Sequence, residues 1–197
     1  CDFDEERLKE LFNGARQVGA ELFLLDDGWF GNGPYSRDDD KHGLGDWEPS
    51  TKKLPRGLSY IAKEALKRKV DFGIWLEPEM VNPQSGLYQK HPDWIITQPK
   101  RTPILGRHQE ILDLTRPEVQ AFEWQVIDKT LRPNPDISYV KWDCNRYITQ
   151  PGSGYLQPAE QSHLWIDYNW ALYRLMERFS KEFPMLWQCF VRVVPDV

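Results

Sequence analysis

An α/β fold with a parallel sheet follows from three observations in the sequence. Helix-period segments alternate with short apolar runs, each run ends in polar or acidic residues, and long connections follow two of those ends, the first of them Gly- and Asp-rich. Residues 4–18 predict a helix, since Leu8, Leu11, Phe12, Ala15 and Val18 recur at 3.6-residue spacing and Gly19 is placed to end it. A short strand over 21–25 follows, then a connection over 26–55 far longer than usual, of the kind that more often carries function than decoration. Residues 58–69 are again helical, and a strand over 70–76 runs into Glu77-Pro78-Glu79, where the proline breaks the ladder. A second long loop reaches about residue 115. Pro117 then opens a helix to Leu131, and 137–142 is a third strand. A helix over 158–183 and an apolar stretch over 185–189 complete the order.

Repeated helix, strand and loop predict right-handed parallel crossovers. The reading is a partial TIM (β/α)8 barrel with four of its eight strands, because a full barrel needs about 250 residues and this chain has 197. Residues 1–189 are expected to form the partial barrel, with exposed sheet edges, and 190–197 an atypical tail. Cys1 stands where Met would begin a complete protein, so the natural start is expected to lie upstream.

Composition excludes several function classes. A hydrophobic share of 40% with 28% charged residues argues against disorder, and a net charge of −5 with interspersed bases leaves no stripe for nucleic acid. No apolar run approaches the roughly 20 residues that span a bilayer. Three separated cysteines give neither a disulfide framework nor zinc spacing and fit a reducing, cytoplasmic setting. His42, His91, His108 and His163 lack ligand spacing, so no metal and no cofactor is expected. The charge run from Arg37 to Lys41 lacks calcium-loop spacing and reads as solvated.

Nine tryptophans, several beside acids as in Asp27-Gly28-Trp29, Asp46-Trp47, Asp93-Trp94 and Trp142-Asp143, point to a sugar site. Indoles pack on pyranose faces while carboxylates take its hydroxyls, although most single tryptophans serve packing. In barrels of this kind the site forms at the C-terminal ends of strands, where Asp26, Asp27, Trp75, Glu77 and Asp143 fall. Alternation along the third strand puts Lys141, Asp143 and Asn145 on one face and Trp142 and Cys144 on the other. A cation beside a carboxylate keeps it charged and placed, as a glycosidase nucleophile requires; a structural ion pair is the plain alternative. Asp26 and Asp27 either grip adjacent hydroxyls or close a loop. Of Glu77 and Glu79, one faces the site or both serve structural hydrogen bonds.

The motifs Leu25-Asp26-Asp27-Gly28-Trp29-Phe30-Gly31, Leu44-Gly45-Asp46-Trp47, Trp75-Leu76-Glu77-Pro78-Glu79-Met80-Val81, His91-Pro92-Asp93-Trp94 and Tyr139-Val140-Lys141-Trp142-Asp143-Cys144-Asn145-Arg146 occur in this order. Over nearly its whole length the chain resembles glycoside hydrolase family 36, the microbial α-galactosidase group with raffinose-type galactosyltransferase relatives. The resemblance implies a retaining mechanism on small-molecule galactosides such as raffinose and melibiose, without a cofactor, and often a homo-oligomeric parent. It implies that Asp143 is the nucleophile, and that Asp26, Asp27, Trp75, Arg107, Lys141, Asn145 and Cys189 contact sugar. After Cys189 the sequence departs from the family's glycine-rich turn, and Asp196 does not fit the general acid/base. A shifted reading frame or a truncation is expected there, and this chain is expected to have little turnover. A binding-only galactose fragment, an unfolded product and a transglycosylase parent are the alternatives.

Overall fold

The computed structural model describes residues 2–98 and 100–192, so Cys1, residue 99 and residues 193–197, Asp196 included, lie outside the described residues. Helix α1, Glu5–Gln17, starts where the Asp4 carboxylate accepts the Arg7 N–H at 2.8 Å, with Glu5 and Glu6 favourably placed in its first turn. It buries Leu8 and Phe12 and ends before Gly19, whose φ of 80° suits glycine. Strand β1, Leu22–Leu25, follows. Helix α2, Gly57–Lys67, turns its Leu58, Ile61, Ala62 and Ala65 inward, and β2, Asp71–Leu76, is buried over its last five residues.

The second long loop contains a ribbon that periodicity could not reveal. Strands β3, Met80–Val81, and β4, Glu110–Ile111, pair antiparallel, with helix α3, Gly86–Lys90, between them. Helix α4, Pro117–Leu131, opens on its proline as expected, and β5 is longer than expected, Ile137–Cys144. The predicted helix over 158–183 is divided into a 3₁₀ segment, Pro158–His163, and α5, Leu164–Glu182. Strand β6, Trp187–Arg192, runs past residue 189 into the segment set apart as a tail.

Strands β1, β2, β5 and β6 form one parallel sheet in that order, so each strand neighbours the next in the chain. Crossovers of one hand then put the helices on one face. Phe72 of β2 meets Phe12 of α1, and Trp142 of β5 meets Phe179 of α5, at centroid distances of 6.1 and 6.2 Å. On the opposite face the Tyr139 side chain of β5 packs over Gly73 of β2. A Cβ on Gly73 would lie 2.9 Å from the Tyr139 ring, so only glycine fits without a shift. The returns from helix to strand are short, at 18–21, 68–70, 132–136 and 183–186, whereas the two long connections leave the C-terminal ends of β1 and β2. No helix among the described residues is long and apolar enough to cross a membrane.

Candidate functional site

Register decides which side chains meet. Trp75 pairs with Lys141 and Lys141 with Cys189, so these three share one row across β2, β5 and β6. Two residues on, Glu77 and Asp143 project to the same face. Asp26 follows β1 directly and completes the row from the other side, its carboxylate 3.3 Å from Lys141 Nζ.

Asp143 is 5% exposed and is held by donors on both oxygens. The Trp75 indole N–H donates to Oδ2 at 3.0 Å, the Cys144 backbone N–H donates to Oδ1 at 2.9 Å, and Lys141 Nζ stands 3.5 Å away. Such contacts fix the carboxylate in place. Burial disfavours the Lys141 ammonium, but Asp26 and Asp143 outweigh this, and its pKa is raised. The expected alternation holds: Trp142 faces away, its indole donating to Glu79 at 3.3 Å, and Cys144 is buried beside it.

Trp75 is itself braced. The Trp29 indole donates to its carbonyl at 2.9 Å, and Phe30 stacks parallel to it with centroids 6.2 Å apart. The Trp in Asp27-Gly28-Trp29 is therefore a support for the site and is wholly buried.

Asp27 is oriented differently from Asp26. Arg37 grips it with two bonds, Nε to Oδ1 at 2.8 Å and a terminal nitrogen to Oδ2 at 2.7 Å. Arg37 is 2% exposed, which corrects the expectation that its charge run is solvated. Its charge is compensated by Asp27, and its remaining donors reach the His42 carbonyl and Asn82 Oδ1, both at 3.1 Å. Asp38, Asp39, Asp40 and Lys41 are exposed as expected. Loop closure is therefore one role of Asp27, whose side chain stays 30% exposed.

The remaining expected residues ring this centre. Asn145 donates its backbone N–H to Glu77 Oε1 at 2.6 Å. Arg107 is exposed, at a positive φ of 52°, in the loop before β4. That loop is tied down by buried Arg146, which donates to Glu110 at 2.7 Å and to the carbonyls of Gln109 and Ile104. Cys189 is a half-buried free thiol that interacts with Tyr139. Among the described residues no cluster of His, Cys, Asp and Glu could hold a metal ion.

Two buried carboxylates carry more than their sequence context suggested. Glu77 faces the site, and Glu79 accepts from Trp142 and, at 2.6 Å, from the Tyr168 hydroxyl on the helix-covered face. Burial pushes Glu77 up, the Asn145 N–H pulls it down and the Asp143 charge pushes it up again, to a pKa of about 7. The acidic end of an apolar strand was the one available signal for it.

The chain is similar to known proteins over most of its length. The Melibiase family profile matches residues 1–189. Alpha-galactosidase AgaA of Geobacillus stearothermophilus is 44% identical over 93% of this chain, and alpha-galactosidase 1 of Pediococcus pentosaceus is 42% identical over the same share. A crystal structure of a GH36 AgaA variant in complex with stachyose superposes with a TM-score of 0.91 at 41% identity, covering 97% of this chain and 26% of that one. The chain spans about a quarter of the length of the curated relatives it matches, 24% in both cases.

Proposed function

The chain belongs to the Melibiase family, and we propose that it forms the nucleophile-bearing part of a retaining α-galactosidase acting on terminal α-galactosyl groups of small oligosaccharides. The observation that carries this is the run of contacts from Trp75 through Asp143 and Lys141 to Asp26, which joins three strand ends in one patch of a glycosidase's chemistry. The four parallel strands in sequential order suit half of a (β/α)8 barrel, with residues 1–189 as its body. The α-galactosidase names of the relatives and the stachyose complex of one neighbour support the substrate class.

In this reading Asp143 attacks the anomeric carbon, and the bond to the leaving oxygen breaks as the glycosyl-enzyme ester forms. Trp75 walls the sugar while steadying the nucleophile. Asp26, Asp27, Lys141, Arg107, Asn145 and Cys189 contact the galactosyl group. In a retaining site the second carboxyl lies about 5–5.5 Å from the nucleophile. We assign that acid to a part of the longer relatives' sequence outside this span; a general acid typically contributes about 10²–10⁴-fold.

An aryl α-galactoside with a good leaving group needs little acid help and tests the assignment directly. The folded chain is expected to release a stoichiometric burst of phenolate, followed by almost no turnover. Asp143→Asn is expected to abolish the burst, and Lys141→Met to slow it by about 10²-fold through loss of a charge at the developing centre. A folded chain that gives no burst refutes the nucleophile role.

A further inference from the structure

Glu77 has no part in the galactosyl transfer to Asp143, yet it is 1% exposed and lies directly beside the reacting groups. Its Oε1 accepts the Asn145 backbone N–H at 2.6 Å and its Oε2 accepts the Gln109 side-chain amide at 3.3 Å. Asn145 adjoins Cys144, whose own N–H is bonded to Asp143. Gln109 lies two residues after Arg107 in the loop that Arg146 anchors. One carboxyl thus holds the chain just past the nucleophile and the loop that brings a cation to the mouth. The charged groups facing it are Asp143 from β5 and Arg107 from the loop.

We infer that Glu77 is a positioning residue for the nucleophile, gripping Asn145 and Gln109 so that the presence or absence of its own charge adjusts how Asp143 sits against Trp75. The inference rests on the assignment of Asp143 as nucleophile. An ionised Glu77 grips the Asn145 N–H strongly but repels Asp143; a neutral Glu77 reverses both effects. The two carboxylates are therefore linked reciprocally. When Asp143 becomes an ester its charge is gone, so Glu77 ionises more readily and tightens its hold on the loops while the sugar is attached. In the free site burial is the main cause that raises Glu77 to a pKa of about 7, and the Asp143 charge adds to it.

The test uses the full chain with ¹⁵N-labelled tryptophan. The Trp75 indole N–H resonance, identified by its loss in Trp75→Phe, reports the bond to Asp143 as pH is raised from about 5 to about 9, a range that spans neither the ordinary Asp nor the ordinary Lys value. It is expected to shift with a midpoint of about 7, and that inflection is expected to vanish in Glu77→Gln. A flat resonance in the parent chain, or an inflection that survives in Glu77→Gln, overturns the inference. Should Glu77→Gln fail to fold, ¹³C titration of the Glu77 carboxyl decides: in Asp143→Asn its midpoint is expected to fall toward the ordinary 4.5, and an unmoved midpoint overturns the inference. Both measurements need no substrate. If they succeed while the aryl galactoside gives no burst, the enzymatic reading fails and the coupling stands; the opposite pair of results removes only the role of Glu77.

Discussion

Glu123 on α4 is fully buried, and neither carboxylate oxygen has a hydrogen-bond partner among the described residues. Burial, reinforced by the charge of Glu79, pushes its pKa well above the ordinary value, so the folded chain favours its neutral form. A carboxyl whose folded pKa is raised contributes stability that is complete below the unfolded pKa and is lost as pH rises toward the folded value. Glu77, pushed to about 7, acts in the same direction. Stability is therefore expected to fall as pH climbs from about 4.5. Glu123→Leu removes an unpartnered buried acid without leaving a large void, so it is expected to stabilise the chain by about 1–3 kcal/mol near neutral pH. Urea unfolding at acidic and at mildly alkaline pH checks the sign, because the advantage must grow with pH. None of this was legible in the sequence. Glu123 occupies a helix whose periodicity shows an inward face, but an acid on such a face reads as an exposed neighbour until a second buried acid is found close by.

At the scale of elements, the connection from β1 to α2 is held by charges buried beneath it. Arg37 grips Asp27 and reaches Asn82, whose own side chain accepts the Leu44 N–H at 2.9 Å and donates to the carbonyls of Asp40 and His108. Lys53 donates to the carbonyls of Gly28 and Arg37 and pairs with Asp38 at 2.9 Å. Arg37→Met leaves Asp27 and these acceptors without their donor, a change expected to cost about 3 kcal/mol. Thermal unfolding measures that loss, and limited proteolysis within 32–49 is expected to speed up. Lysine at this position should recover only part of it, having no planar fork to match the carboxylate. The main helices and the sheet strands were legible from their periods and from Pro117 and Gly19. The β3–β4 ribbon was not, since two-residue strands carry no period, and the burial of Arg37 depends on Asn82, 45 positions away in sequence.

Across the whole molecule, the order β1-β2-β5-β6 leaves β2 and β5 flanked on both sides while β1 and β6 each lack one neighbour among the described residues. Hydrogen exchange is expected to be slowest in Phe72, Ile74 and Leu76 of β2 and in Val140 and Trp142 of β5, and faster along β6, where Trp187 is 77% exposed. Uniform exchange across all four strands would show that the sheet opens as one unit. The site was legible at this scale because strand-end acids, one face of β5 and the sequential order jointly placed Asp26, Trp75, Lys141 and Asp143 together. Glu77 was placed at the same strand ends, but its bond to the Asn145 N–H, between positions 68 apart, was not legible. The short returns from helix to strand all lie at the pole opposite these groups. The cluster and these returns are thereby segregated by geography: a graft, a dye or an affinity handle spliced into 132–136 meets none of Asp26, Trp75, Lys141 and Asp143, so the southern rim can diversify under selection while the northern one is constrained by the contacts it must keep.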